Sequence, residues 1–130
     1  MVAFQAMATA DQAGVGTNQN IIFEKVIINI GNGYYPHLGT FIVPRNGIYQ
    51  ISTTVCHMPQ GTFFNGAIVH QGNNVAYLFG MPNEYEHATQ TVLIQAKFGD
   101  EINVRNVGPA NENIYGRNFT TFTGHLVWET

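Results

Sequence analysis

"FIVPRNGIYQIS", residues 41–52, places two β-compatible runs on either side of Pro44-Arg45-Asn46-Gly47. Pro44 has no N–H to donate to a ladder and Gly47 can take backbone angles denied to other residues. The chain is therefore expected to finish one strand here and begin another. In residues 47–56, Tyr49, Ile51, Thr53 and Val55 fall on one face and Ile48, Gln50, Ser52, Thr54 and Cys56 on the other. That mixed alternation suits a strand inside a sandwich.

Similar punctuation recurs in both directions. Val2, Phe4 and Ala6 alternate with Ala3, Gln5 and Met7, which predicts a half-buried strand at the very start. "TADQAGVGTNQN" reads as a loop, β-branched residues resume over 21–30, and "GNGYYPHLGT" interrupts again. "HMPQGT" closes the strand that begins at Gly47. Residues 63–70 and 75–79, joined by Gln71-Gly72-Asn73-Asn74, read as a hairpin, because Gly and Asn accept the positive φ of tight turns. After the loop "GMPNEYEHATQ", residues 91–98 and 101–107 read as a second hairpin turned by Gly99-Asp100, with Ile102 and Val104 inward. "GPANENIYGRN" leads to a last strand over 119–128, with Phe122, Leu126 and Trp128 on one face. No segment carries a helical stripe, and there is no internal repeat or collagen-like run. The pattern predicts an all-β antiparallel sandwich or jelly roll, formed by residues 1–130 as a single globular domain.

Composition narrows the function. Charged residues make up 10% of the 130, where about 25% is usual for a soluble domain. Asn, Gln, Thr and Gly cover part of the surface, and a charge-poor exterior also suits a protomer that buries area against copies of itself. The net charge is −3, and Lys25, Arg45, Lys97, Arg105 and Arg117 are scattered. No stripe tracks phosphates, which argues against nucleic acid as a partner. Cys56 is the single cysteine, so no internal disulfide forms, and a lone thiol in a strand reads as a small buried hydrophobe. Apolar runs such as Val26-Ile27-Ile28 are too short for membrane insertion, and no leader-like segment precedes Val2. The expectation is a soluble chain whose export signal, if any, lies outside this numbering.

The spacing around the opening stretch carries a family resemblance. From Phe23, five residues lead to Asn29, four more to Tyr34, six to Phe41, five to Gly47 and one to Tyr49. This run resembles the signature of C1q domains. "VAFQA" looks like the family's first strand, "GD" followed by "EINV" like its penultimate hairpin, and "YGRNFTTFTGHLVW" like its final strand. Ile51 and Thr53 stand where the signature has aromatics, as does His125. The resemblance implies a ten-stranded antiparallel jelly-roll sandwich of the C1q/TNF-like kind, assembled as a homotrimer or heterotrimer. Its structural positions fall on Phe23, Asn29, Phe41, Gly47, Tyr49 and Phe122, with Val127 in place of the more usual Leu.

Motifs for catalysis are missing: there is no Gly-x-Ser-x-Gly, no His-Glu-x-x-His and no phosphate-binding loop leading into a helix. His37, His57, His70, His87 and His125 come from different predicted elements, so the chain is not read as an enzyme. "NEYEH" gathers Glu84 and Glu86, whose oxygens would suit Ca²⁺; the alternative is a solvated acidic loop. The resemblance puts Glu86 at a calcium-ligating place of some C1q-like heads, but Leu78 falls where a second acid is expected. No cofactor is required for folding. Asn118-Phe119-Thr120 is a glycosylation sequon. The aromatic and Asn-rich stretches "GNGYYPH" and "NENIY" are candidates for stacking on sugars, or ordinary turns.

By analogy with stalkless invertebrate C1q-domain proteins, the expected function is a secreted, trimeric innate-immune pattern-recognition lectin for microbial surface glycans or lipopolysaccharide. The alternative is a secreted trimeric ligand or structural assembly head whose partner is a protein receptor or matrix component. The sequence does not place the ligand site.

Overall fold

The computed structural model describes all of residues 1–130, as twelve strands and no helix. They are β1 (Ala3–Ala8), β2 (Gln12–Val15), β3 (Lys25–Ile30), β4 (Tyr34–Tyr35), β5 (Thr40–Ile42), β6 (Gly47–His57), β7 (Phe64–His70), β8 (Asn73–Gly80), β9 (Glu86–Ala96), β10 (Glu101–Asn106), β11 (Glu112–Tyr115) and β12 (Thr120–Glu129). A larger, seven-stranded sheet runs β2-β11-β6-β12-β1-β3, with β9 also paired to β6; a smaller, five-stranded sheet runs β4-β5-β10-β7-β8. Strand β6 is the spine of the larger sheet. Strand β9 pairs with it from Gly47↔Ala96 to His57↔Glu86, while β12 and then β11 occupy its other edge.

The residues that face inward are those the alternation selects. Val2, Phe4, Ala6 and Ala8 are buried in and beside β1, and Tyr49, Ile51, Thr53 and Val55 along the spine. Phe4 lies at the centre of an aromatic cluster, with its ring 4.5 Å from Phe41, 4.9 Å from Phe122 and 5.2 Å from Tyr34. Offset and edge-on packing of this kind adds to the burial of each ring. The hairpin β7–β8 turns on Gln71 and Gly72 at φ 51° and 79°, the positive pair that a two-residue turn requires.

Residues 41–52 form a passage between sheets. Strand β5 ends at Ile42 in the smaller sheet and β6 starts at Gly47 in the larger one. The Tyr49 hydroxyl donates to the Arg45 carbonyl at 2.7 Å, and Asn46 Oδ1 accepts the Phe98 N–H at 2.7 Å. Val43 donates to the Asp100 carbonyl at 2.9 Å and accepts from the Gly99 N–H at 2.8 Å. Residues 97–100 therefore lie against the corner and cross the opposite way, from β9 to β10.

That geometry corrects the second hairpin expected over 91–107. Strand β9 pairs with β6 and β10 pairs with β5 and β7, so Gly99-Asp100 joins two sheets. The role of Gly47 also differs from expectation, since its φ is not positive. A Cβ there would lie 2.5 Å from Leu126 Cδ1 and 2.5 Å from the Trp128 carbonyl oxygen, so glycine is required for the close approach of β12.

Strand count and boundaries shift for related reasons. Strands β2, β4 and β11 lie within stretches read as loops, so twelve strands stand where the resemblance implies ten. Each is too short, and too near Gly or Asn, for alternation to register; β4 pairs through Tyr34↔Phe41 and Tyr35↔Thr40 alone. Strand β9 begins at Glu86, five positions ahead of the expected Thr91. Trp128 does not share the buried face of Phe122, because a register shift between Leu126 and Trp128 turns it out, and it is 69% exposed.

Candidate functional site

Three surfaces have the chemistry to bind something. The first is the outward face of the larger sheet, where the register sets Gln50, Ser52, Thr54 and Cys56 of β6 beside Leu93, Thr91, Thr89 and His87 of β9. Ser52 and Thr91 hydroxyls bond at 2.9 Å, Thr54 and Thr89 at 3.0 Å, and the face continues through His125, Thr123 and Thr121 of β12. None of these residues is Lys, Arg, Asp or Glu. At one end of this face Cys56 and His87 open into a cavity of about 200 Å³, walled by Tyr85, Tyr115 and Phe119. Tyr85 packs edge-on to Tyr115 at 4.9 Å, Phe119 stacks on Tyr115 at 5.5 Å, and the Arg117 guanidinium lies 5.0 Å from the Tyr115 ring centroid. Burial pushes the Cys56 thiol pKa up, so the cavity floor carries a thiol rather than a thiolate nucleophile.

The second surface is an apolar edge. Val75, Tyr77 and Phe79 of β8 are 43–62% exposed, and Phe63 and Met81 are exposed as well. Phe63 stacks on Phe79 at 5.3 Å, which extends the patch. Contiguous exposed apolar surface of this kind marks contacts with other chains.

The third surface is polar and lies over the smaller sheet. Along β10, Ile102 and Val104 pack in the core, Glu101 is exposed and Arg105 half-buried, and Asn103 between them is buried. The latter three, with Gln71 and Gly72 of the β7–β8 turn, line a cavity of about 250 Å³. The chain around Asn20 runs alongside β10, held by Ile21 N–H to the Val104 carbonyl at 2.8 Å and Asn106 N–H to the Gln19 carbonyl at 3.2 Å. Asn20 Oδ1 accepts from Arg105 Nε at 2.8 Å, and Asn20 Nδ2 reaches Asn103 Oδ1 at 3.2 Å and Thr40 Oγ1 at 3.3 Å. The Thr40 hydroxyl donates to the same Asn103 oxygen at 2.5 Å. Thr40 and Asn103 are buried, so the outer guanidinium stands on a fixed polar base.

The residues named from the sequence separate into distinct places. Phe23, Phe41, Tyr49 and Phe122 are fully buried and in ring contact, with Phe23 5.2 Å from Phe122 and Phe41 5.6 Å from Tyr49. Asn29 closes the bend into β4, accepting from the Tyr34 N–H at 3.1 Å and donating to the Tyr34 carbonyl at 3.0 Å. This explains its fixed distance from Tyr34. Val127 is not a core residue: it falls within the β12 bulge, has no register partner and is 49% exposed.

Glu84 and Glu86 are not gathered into one cavity. Glu84 lines a hollow of about 280 Å³ with Met81, Pro82 and Asn83, whereas Glu86 Oε1 accepts from the Met81 N–H at 3.2 Å. Nowhere in the chain do three or more His, Cys, Asp or Glu side chains cluster. Asn118 is exposed at φ 68° in the turn before β12. Of the aromatic stretches, "NENIY" contributes Tyr115 to the aromatic cavity, while Tyr34 of "GNGYYPH" is buried in the core. His70 meets Asp100 Oδ2 at 2.8 Å, and that oxygen also accepts the Lys97 N–H at 2.9 Å, a brace for the second crossing between sheets.

Sequence reasoning missed the polar cavity. Its signal was present in "EINVR", where Glu101, Asn103 and Arg105 alternate with Ile102 and Val104, but alternation alone cannot show what supports the outward side chains.

The chain resembles known proteins over nearly its whole length. The sequence profile described as "C1q domain" matches residues 3–127. The mouse protein named "Complement C1q tumor necrosis factor-related protein 6" is 27% identical over 133 aligned residues, covering 95% of this chain and 50% of the mouse protein. A protein of the mussel Mytilus edulis named "Heavy metal-binding protein HIP" is 24% identical, over 97% of this chain and 60% of its own length. The chain thus spans about half the length of the curated relatives it matches. Among solved structures, the globular domain of zebrafish complement 1qA protein superposes over 100% of both chains, with a TM-score of 0.80 at 11% identity.

Proposed function

Because this chain belongs to the C1q domain family, we propose that it is a secreted trimeric recognition head that binds microbial surface glycans or lipopolysaccharide. The supporting observation is the separation of its three surfaces. The outward face of the larger sheet carries no charge and the β8 edge is apolar, so each can be covered by a neighbouring copy without stranding a charge, one copy on either side. Such head-to-tail contacts close into a ring when the rotation between copies is right, and a three-fold ring buries both patches on every protomer. The polar cavity over β10 includes no residue of either patch, so assembly leaves three copies of it open. Three sites on one rigid head suit a repetitive surface, where simultaneous engagement raises avidity without new contacts. The head acts by binding and not by catalysis.

A second reading has its own support. Strand β3 forms the free edge of the larger sheet and leaves Val26, Ile27, Ile28 and Ile30 36–47% exposed. An apolar edge strand is a template for another polypeptide, which favours a protein receptor or matrix partner.

One experiment separates them. Light scattering at micromolar concentration should give three times the 14.4 kDa chain mass, and the same sample should then be read on a glycan array with and without Ca²⁺. A monomer removes the foundation of both readings. A trimer silent on every glycan, in either condition, moves the function to the protein partner, while signal only with Ca²⁺ brings Glu84 and Glu86 into the site.

A further inference from the structure

The cavity over β10 has a specific chemistry, and, resting on the glycan reading above, we propose that it selects a carboxylated sugar, a uronic or comparable sugar acid, through Arg105. The guanidinium is the reason. Its Nε is fixed to Asn20 Oδ1 at 2.8 Å, and Asn20 is held by Leu38, Thr40 and Asn103 through its other amide atom. Nη1 and Nη2 make no hydrogen bond within the chain, and Arg105 belongs to no ion pair, unlike Arg45 with Glu129 and Arg117 with Asp11. A planar fork anchored at one corner and open at the other two is built to receive two oxygens in one plane, the geometry of a carboxylate.

The neighbours complete the preference. Asn103 has its Oδ1 occupied by Thr40 and Asn20, which turns its Nδ2 donor, free of any protein partner, toward the cavity. Glu101 lines the same cavity and can only accept, so it calls for hydroxyl donors on the ligand. Arg105 and Glu101 together carry no net charge. A phosphate dianion would meet one cation and one carboxylate, whereas a monocarboxylate beside several hydroxyls satisfies the guanidinium, the amide and the carboxylate at once. Gln71 and Gly72 form the remaining wall: Gln71 Oε1 accepts from the Glu101 N–H at 2.6 Å, and beside Gly72 there is open space.

The test is calorimetric titration of the assembled chain with a galacturonic acid oligomer, a neutral galactose oligomer of equal length and inorganic phosphate. The acidic oligomer should bind about tenfold or more tightly than the neutral one, and less tightly as salt rises. Arg105→Gln should weaken it about 10- to 100-fold and the neutral oligomer far less. Arg105→Lys, which keeps the charge and loses the fork, should lie between and provides the reading if the Gln variant does not fold. Asn20→Ala should weaken the acidic oligomer more than the neutral one, as expected of a residue that positions the guanidinium. Equal affinity for both oligomers, or wild-type binding by the folded Arg105 variant, overturns the inference while the glycan reading stands. Phosphate competing as well as galacturonate overturns the carboxylate assignment. A trimer that binds no oligomer here and is silent across the glycan array overturns the glycan reading itself.

Discussion

Replacing Glu112 by Gln should stabilise the chain at neutral pH and remove a pH dependence of the wild type. Glu112 is 0% exposed, and neither carboxyl oxygen has a hydrogen-bond partner. Strand β11 sets it opposite Val15, and Ile114, two positions on and facing the same way, lies opposite His57. No hydrogen bond or opposite charge offsets a charge on the carboxyl. Burial alone pushes its pKa from 4.5 up to about 7. The folded state therefore holds the proton more tightly than the unfolded chain does. The resulting stabilisation is complete below pH 4.5, declines by about 1.4 kcal/mol per pH unit, and is gone above about pH 7, a total of about 3 kcal/mol. An amide is neutral throughout, so at about pH 8 the variant should lead by about 3 kcal/mol, and near pH 4.5 the two should agree within about 1 kcal/mol. Urea unfolding across this window, at fixed protein concentration because assembly shifts midpoints, measures the difference. Asp100 does not intrude. Burial raises its pKa, but hydrogen bonds from the Lys97 N–H and His70, with both charges, outweigh this and lower it. Its contribution is thus lost only as pH falls below 3.8. A constant difference between wild type and variant across the window would show the carboxyl to be charged or hydrated throughout and refute the reasoning.

Four further outcomes are expected. Gly47→Ala should cost about 1–3 kcal/mol in urea unfolding, because the new methyl meets the Trp128 carbonyl, which cannot move without disturbing β12. Phe122→Ala should cost about 3–5 kcal/mol, since it empties the space between Phe4, Phe23 and Tyr34. Chain made in a eukaryotic secretory host should lose mass on peptide-N-glycosidase treatment, with no shift in Asn118→Gln; an unchanged wild-type mass contradicts the sequon reading. The thermal melt should be unchanged by EDTA, because the core holds together by packing; loss of the cooperative transition would point to a structural metal.

The fold was legible wherever burial left a period in the sequence. Phe4, Tyr49, Ile51 and Phe122 sit on strands long enough for alternation to name their inner face. Gly47 illustrates the limit: the sequence marked the right residue for a conformational reason, but its cause is a contact with β12, about 80 positions away and invisible to local reasoning. The misread hairpin at Gly99-Asp100 has the same origin. A turn residue announces that the chain reverses, but the sheet it joins next depends on the hydrogen bonds from Val43, which belong to another corner.

The polar cavity was hidden for a complementary reason. A scattered set of five basic residues argues against a phosphate-tracking stripe, yet the same scatter conceals that one of them is supported from below. Asn20, Thr40 and Asn103 come from three separate stretches, and each alone is an ordinary turn or strand residue. The buried Thr40 hydroxyl and Asn103 Oδ1 would normally cost stability unless satisfied, and here the bonds that satisfy them also hold Asn20, which fixes Arg105. Glu112 provides the contrast within the same fold, a buried polar group left without such bonds, and its pKa moves accordingly. The distinction separates two roles for interior polarity: where hydrogen bonds close, it positions a surface group for binding; where they do not, it makes stability depend on pH.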